Sequence, residues 1–309
     1  MAESRTEWTS KRSREVKNWL LCGCLAIPSL SAAAQAQFQV FLSAVDVQGV
    51  APAALSTADV QVTEAGVAAK VLTIERIDWP VKVQVLVDNG TGLGRDNLLD
   101  LRNGLRGLFE WLPQDVEVSL YTTAPQPRAL VRPTTGREEL LRVVDRLPFE
   151  TATGRFVDSL NEATRRIEAD TSHHYPVIIA MATTGSDPTV VERTVTELMR
   201  RLEQRTTVVH TVLLTSQQSS ISFGSHQTQI GIAMKNLTGG RFENINAATR
   251  LATLLPEIAA QVAASHERQS HQFRLTLERP AGKSGPLGPI GGHVPKGYSG
   301  KFTLDGVMP

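Results

Sequence analysis

The stretch Pro176-Val-Ile-Ile-Ala-Met181 is apolar throughout and lacks the polar alternation of a strand with one solvated face. Such a run is typical of a strand that is buried on both faces of a mainly parallel sheet. A second run, Val81-Lys-Val-Gln-Val-Leu-Val87, is rich in β-branched residues and ends at Asp88. We therefore predict that both segments are strands of one sheet and that the fold is built around them.

Helical patterns alternate with strand-like runs over residues 79–266. Asp96–Trp111 places leucines at spacings of three and four, which indicates an amphipathic helix. Asp187-Pro188 resembles a helix start with Asp187 as the N-cap, in a helix that buries Val191, Val195, Leu198 and Leu202. Further helices are expected over Gly136–Leu147, Arg155–Ala169, 229–237 and Ala247–Ser265. This alternation predicts a doubly wound α/β domain with a mainly parallel sheet and helices on both faces.

The two flanks of this α/β domain have a different pattern. Residues 37–78 alternate short β-type runs with turns and predict a small β-rich leader subdomain. Residues 267–309 are expected to contain one strand, Phe273–Leu277, and a tail whose Gly- and Pro-rich part, Pro280–Gly297, is a mobile loop. We expect the N-terminal strands to pack with Phe273–Leu277, because both flank the α/β domain.

The composition excludes several classes of protein. The chain has 309 residues, of which 41% are hydrophobic and 20% charged, so it is neither disordered nor collagen-like. Its 32 basic and 31 acidic residues give a formal net charge of +1. Without a strong positive field, we expect no nucleic-acid partner and no strong association with an anionic membrane surface.

Residues 1–36 have the layout of a secretory signal peptide. Basic residues in the first 17 positions precede an apolar run, Trp19–Ile27, and small residues end at Ala36, where cleavage is expected. The protein is then periplasmic or secreted. Both cysteines, Cys22 and Cys24, precede the expected cleavage site, which leaves the exported chain without a disulfide or a thiol nucleophile. If residues 19–36 are not cleaved, they act as a membrane anchor, and this alternative stays open.

Five short stretches carry a resemblance to a known family. They are Val45–Gly49 and Leu55–Gly66 in the leader, and Val85–Gly92, Phe156–Leu160 and Leu237–Gly240 in the main domain. Together they resemble a von Willebrand factor type A (VWFA) domain, and more narrowly the bacterial exported proteins in which this domain follows a short β-rich leader. The resemblance covers most of the chain after residue 36.

The resemblance implies a metal-ion-dependent adhesion site, or MIDAS, in which Asp-x-Ser-x-Ser, a loop Thr and a later Asp hold Mg²⁺. Such hard oxygen donors leave one position of an octahedral ion for a partner's carboxylate. In this sequence Asp88 matches the first Asp, whereas Gly90 and Gly92 occupy the serine positions. Gly154 occupies the threonine position and Thr184 that of the later Asp. We therefore expect a degenerate MIDAS with Asp88 and Thr184 as remnants, and no bound Mg²⁺ or other cofactor.

These features predict an exported, non-enzymatic protein-interaction module. Ligands of open α/β sheets bind at the carboxyl ends of the strands. The expected partner-binding rim therefore comprises Asp88, Gly90, Gly92, Arg95, Gly154, Arg155, Thr184 and Asp187. Without a metal ion, recognition would depend on backbone amides, hydroxyl groups and the two arginines, which favours an acidic or polar protein partner.

Other motifs are incomplete, and three alternatives stay open. Gly90–Gly94 has neither the glycine spacing of a dinucleotide loop nor the Lys-Ser/Thr of a P-loop. His266 and His271 are five residues apart and do not share a helix face, as zinc ligands would. The alternatives are a membrane-tethered structural component, a Mg²⁺-dependent adhesion module rescued by Asp88 and Asp187, and a metal-assisted enzyme, which the missing donors disfavour.

Overall fold

The computed structural model describes residues 36–184, 187, 190–215, 221–269, 271–283 and 285–304, without the side chains of residues 221–225. Residues 1–35, which hold nearly all of the predicted signal peptide, lie outside this description. The helices of the described residues are α1 (Leu98–Trp111), α2 (Arg137–Asp145), α3 (Phe156–Ala169), α4 (Glu192–Gln204), α5 (Ile221–Thr238) and α6 (Leu251–Gln269). The strands are β1 (Gln37–Val45), β2 (Gln61–Glu64), β3 (Val67–Ile77), β4 (Val81–Val87), β5 (Glu117–Thr122), β6 (Arg128–Thr134), β7 (Tyr175–Thr183), β8 (Val208–Leu214), β9 (Phe242–Ile245), β10 (Gln272–Glu278), β11 (Ile290–His293) and β12 (Ser299–Thr303).

The main sheet has the strand order β6-β5-β4-β7-β8-β9. All of its strands are parallel except β6, which pairs antiparallel with β5. Every residue of β7 is buried, as the unbroken apolar run Pro176–Met181 indicates. The predicted doubly wound, mainly parallel sheet is therefore confirmed.

Helices cover both faces of this sheet. Side chains of α1, α2 and α6 form one core with the sheet, and those of α3, α4 and α5 form the other. The predicted leucine stripe of α1 is buried at Leu101, Leu105 and Leu108. The helix itself begins at Leu98, after a 3₁₀ turn over Arg95–Asn97.

The prediction for the start of α4 was wrong. The helix begins at Glu192, and Val191, which was expected to be buried, is 53% exposed. Asp187 instead accepts hydrogen bonds from the amides of Phe156 and Val157, at 2.9 and 3.3 Å. The first turn of α3 leaves amide groups without partners inside the helix, so Asp187 caps a helix that is distant in sequence.

The second sheet joins strands from both flanks of the α/β domain, in the order β11-β2-β3-β10-β1-β12. Strand β10 lies between β1 and β3 and is antiparallel to both, with Phe38 opposite Leu277 and Ile74 opposite Leu275. The predicted packing of the N-terminal strands with Phe273–Leu277 is therefore confirmed. Both sheets belong to one compact unit, residues 35–309.

The prediction of a mobile loop over Pro280–Gly297 was also wrong. Strand β11 lies in this stretch and pairs with β2, and β12 follows it and pairs with β1. Arg279 forms a buried ion pair with Glu64 and donates a hydrogen bond of 2.8 Å to the carbonyl of Gly285. Glu64 also accepts from the amide of Gly288 at 3.2 Å. A buried ion pair therefore anchors a segment whose glycine and proline content predicts mobility.

Candidate functional site at the carboxyl ends of the parallel strands

Asp88 follows β4 at the carboxyl end of the sheet, and only 6% of its surface is exposed. Its own amide donates to the carbonyl of Met181 on β7 at 3.0 Å, which fixes the backbone. Its Oδ1 accepts from the amide of Gly90 at 2.9 Å, and its Oδ2 accepts from the hydroxyl of Thr183. Both carboxylate oxygens therefore have partners within the protein.

Burial raises the pKa of Asp88, since a charged carboxylate loses solvation in the interior. The hydrogen bonds from Thr183 and Gly90 oppose this effect, because they stabilise the charged form. The charge of Asp187 raises the pKa of Asp88 further. The net effect is that the pKa of Asp88 is higher than that of an exposed aspartate. The hydrogen bonds from Thr183 and Gly90 reduce the cost of burying its charge.

The three glycines at the MIDAS positions pack directly on their neighbours. A Cβ atom on Gly154 would lie 2.5 Å from Cγ of Asp88, and one on Gly92 would lie 2.0 Å from Oγ1 of Thr183. A Cβ atom on Gly90 would lie 2.3 Å from the carbonyl oxygen of Ala152. No side chain fits at these positions unless the loops move apart.

Thr184 and Asp187, two further predicted site residues, are also enclosed. Thr184 is buried, and its amide donates to the carbonyl of Leu214 at 2.8 Å. Asp187 is buried and caps α3. The hydroxyl that contacts Asp88 is that of Thr183, whereas the sequence had suggested Thr184 as the remnant donor. Thr183 and Thr184 are consecutive, and the sequence does not show which of the two hydroxyls contacts Asp88.

No protein-family model and no curated protein matches this sequence. Among solved structures, a von Willebrand factor type A protein from Catenulispora acidiphila matches with a TM-score of 0.49 and 10% identity, over 87% of this chain and 72% of that chain. The pilus adhesin SpaC from Lactobacillus rhamnosus GG, in an open conformation, matches with a TM-score of 0.50 and 10% identity, over 77% of this chain and 46% of that chain. This chain has a von Willebrand factor A-like fold. At such low identity the likeness concerns the fold alone.

The side chains present in this VWFA-like domain do not fit a magnesium ion. Mg²⁺ requires near-octahedral oxygen ligands and gives up its waters reluctantly. The five MIDAS positions offer one carboxylate, Asp88, and one hydroxyl, Thr184, and both Asp88 oxygens are engaged with Gly90 and Thr183. Within the described part of the chain, no three His, Cys, Asp or Glu side chains are grouped so as to hold a metal ion.

Most of the predicted rim lies below the surface of the VWFA-like domain. Of its eight residues, only Gly92, Arg95 and Arg155 are not buried. The guanidinium of Arg95 lies 4.9 Å from the ring centroid of Phe149, and that of Arg155 forms an ion pair of 2.8 Å with Asp158. The rim therefore presents two arginines, one of which already has an acidic neighbour.

The backbone amides of the loop after β4 are also engaged, contrary to the expectation that they contribute to recognition. Gly90 donates to Asp88, and Thr91 donates to the carbonyl of Ala152 at 2.9 Å. Leu93 and Gly94 donate to carbonyls within the loop itself, each at 3.2 Å. These four amides are not available to an acidic partner in this conformation.

The two histidines that superficially resembled zinc ligands have different neighbours. His266 lies 2.8 Å from a carboxylate oxygen of Asp115, and His271 lies 3.2 Å from the guanidinium of Arg76. Among the residues described, no helix has the length and apolar character needed to cross a bilayer.

Proposed function

We propose that this chain is an exported, non-enzymatic protein-interaction module whose VWFA-like domain binds its partner without a metal ion. The observation that best supports metal independence is the internal use of the Asp88 carboxylate. It accepts hydrogen bonds from Gly90 and Thr183, and the glycines around it leave no space for further ligands.

Metal binding here would be costly for three separate reasons. The ion would compete with two hydrogen bonds of a buried carboxylate, and close packing at Gly92 and Gly154 leaves little room beside it. It would also find a single carboxylate, Asp88, to offset the loss of its own hydration. Asp187, the residue considered for a rescued site, caps α3 and would have to leave two amides without a partner.

Thermal unfolding of the full chain with millimolar Mg²⁺, with Mn²⁺ and with chelator tests metal independence. We expect melting temperatures that agree within about 1 °C, because an ion without a site cannot favour the folded state. An ion present at 100 times its dissociation constant would stabilise the fold by about 2.7 kcal/mol, or roughly 5 °C or more. Asp88→Asn is the matched variant: a metal-dependent rise in the original chain that this variant lacks would contradict the proposal.

The partner-binding surface that we propose is the remaining exposed part of the rim, centred on Arg95 and Arg155. Because both are cationic, they favour an acidic or polar protein surface. Recovery of a partner from the exported fraction should fall for the Arg95→Glu/Arg155→Glu variant. The control is Arg132→Glu/Arg205→Glu, which reverses two exposed charges away from the rim. Equal recovery with both double variants would place the contact elsewhere.

Export is the third part of the proposal and has a separate test. N-terminal sequencing of the protein from the periplasmic or secreted fraction should begin just after Ala36. A chain that retains residues 19–36 and sediments with the membrane would support the membrane-tethered alternative instead.

A further inference from the structure

A cavity of about 410 Å³ lies at the opposite end of the parallel sheet from Asp88. The beginning of β8, the end of α5 and the last turns of α6 border it, with Val177 and Val208 near the amino ends of β7 and β8. Its volume falls in the range of about 300–1,000 Å³ that is usual for small-molecule sites. It is therefore separate from the rim and large enough for a small ligand.

The charged side chains that line this cavity are all positive. Lys235, Arg241 and Arg268 line it, and none of the described lining residues is acidic. Arg241 is paired with Glu243 and Glu257, at 2.7 and 3.0 Å. Lys235 and Arg268 are exposed at the surface, and neither forms an ion pair within the described residues. In a chain of net charge +1, two uncompensated cations at one cavity favour an anionic ligand.

Two buried polar side chains also line the cavity. His210 is 7% exposed and Gln269 is 3% exposed. The amide of Arg241 donates to Nδ1 of His210 at 3.2 Å, so the neutral ring carries its proton on Nε2. Burial lowers the pKa of His210 to about 4, which keeps the ring neutral at pH 7.

Neither Nε2 of His210 nor the side-chain amide of Gln269 is one of the enclosed polar atoms that lack a hydrogen-bond partner in the described residues. Both side chains line the cavity, where they can donate to a ligand. A ligand with oxygen acceptors would satisfy both donors at once.

We propose that this cavity binds a small organic oxyanion that carries a carboxylate or phosphate group. Lys235 and Arg268 supply the attraction, and His210 and Gln269 donate hydrogen bonds from the buried wall. The depth of these two donors favours a free small anion over the acidic side chains of a protein partner. This inference does not depend on the proposed function of the rim, which lies at the other end of the sheet.

The bound anion would lie where the two sheets of the molecule are joined. Arg268 and Gln269 are at the end of α6, which leads into β10 of the second sheet. The hydroxyl of Ser43 on β1 donates to the carbonyl of Arg268 at 3.2 Å. Occupancy should therefore stabilise this junction and raise the melting temperature of the whole chain.

Calorimetric titration of the full chain with citrate and with inorganic phosphate tests the proposal, in buffers of matched ionic strength. We expect saturable binding of at least one of them in the micromolar to low millimolar range. The Lys235→Gln/Arg268→Gln variant should bind at least about tenfold more weakly, because it removes both charge-assisted contacts. Both side chains are exposed and lack ion-pair partners in the described residues, so this variant should fold normally.

Two further arms make the test decisive. Gln269→Met removes the amide at nearly constant volume and should weaken binding about fivefold. Lys296→Gln/Arg193→Gln removes two charges away from the cavity and should leave binding unchanged. Absence of saturable binding, or equal binding by both double variants, would overturn the proposal. Binding of a Glu-rich hexapeptide with no binding of either free anion would also overturn it.

Discussion

The two ends of the parallel sheet differ in what surrounds their buried polar groups. At the carboxyl end, the Asp88 carboxylate has internal partners on both oxygens, and glycines close the space around it. At the amino end, the buried side chains of His210 and Gln269 line a cavity that the exposed Lys235 and Arg268 also border. The open-sheet rule places ligands at the carboxyl end. Internal hydrogen bonds close the site around Asp88, whereas the cavity at the amino end is where we propose that a small anion binds.

A residue that matches a binding motif can have a different role in the fold. Asp88 occupies the first MIDAS position, yet its contacts join the loop after β4 to the end of β7. Its burial would be unfavourable without Thr183 and Gly90. The carboxylate thus stabilises a closed loop arrangement, and substitutions at each end should reveal how strongly that end depends on its particular contacts.

The largest expected effect is at Gly154. The change Gly154→Ala places a Cβ atom 2.5 Å from the buried carboxyl group of Asp88 and should lower the free energy of unfolding by about 3 kcal/mol or more. Urea denaturation measures it. Gly291→Ala is the control, since its Cβ atom would meet Thr63 at an ordinary 3.4 Å. Equal stability of the two variants would mean that the carboxyl end is not closed.

At the amino end, His210 should make stability depend on pH. The unfolded chain binds a proton near pH 6.5, whereas the folded ring binds it only near its pKa of about 4. Because the unfolded state then holds more protons, the free energy of unfolding should fall by about 3 kcal/mol as pH drops through this window. His210→Asn keeps an acceptor for the Arg241 amide but does not titrate. The same pH profile in this variant would refute the assignment.

A smaller effect is expected at Thr183. Thr183→Val keeps the shape of the side chain but removes the hydroxyl that donates to Asp88, which should cost about 2 kcal/mol in chemical denaturation. Thr211→Val is a matched control, because the buried Thr211 hydroxyl has no hydrogen-bond partner in the described structure. If Thr183→Val is as harmless as the control, the bond to Asp88 does not hold the loop closed.

The smallest effect concerns the exposed rim. The contact between Arg95 and Phe149 should contribute about 0.5 kcal/mol, since exposed cation–π pairs are weak. A double-mutant cycle of Arg95→Ala and Phe149→Leu measures this coupling directly. A coupling above about 2 kcal/mol would show that Arg95 is part of the closed loop structure and not a free contact residue of the rim.

Long apolar or periodic segments were predictable from the sequence. The run at β7 and the leucine stripe of α1 predict buried elements, because their patterns extend over several turns or residues of one element. Strand β6 was missed, since an edge strand such as Arg128–Thr134 is mostly exposed and tolerates a proline. Strands β11 and β12 were missed because they are short, and because the anchoring pair of Arg279 and Glu64 joins distant parts of the chain.

The contacts of the sites were less predictable than the elements that carry them. Asp88 was identified by its match to the first Asp of the MIDAS motif, but its partner Thr183 and the cap formed by Asp187 depend on tertiary packing. The cavity at the amino end is lined by residues of β8, α5 and α6. Because these elements are separate in sequence, no local motif predicts the cavity. One signal was available: His210 stands in the otherwise apolar or hydroxyl-bearing run Val208-Val-His-Thr-Val-Leu-Leu214, and a buried histidine needs a reason.

The strand order of the second sheet, which mixes strands from both ends of the chain, has a consequence for folding. Strands β1 and β3 do not pair with each other, and β10, which separates them, is made only after the whole VWFA-like domain. Strand β3 can pair early with β2, because the two are adjacent in the chain. Pairing of distant segments is slow, so β1 should stay unpaired until β10 is available. Pulse-labelled hydrogen exchange should find β1 protected only together with β10. A chain shortened before Gln272 would keep its helices and its parallel sheet. It would lose β10, the strand that joins β1 to β3 in the second sheet.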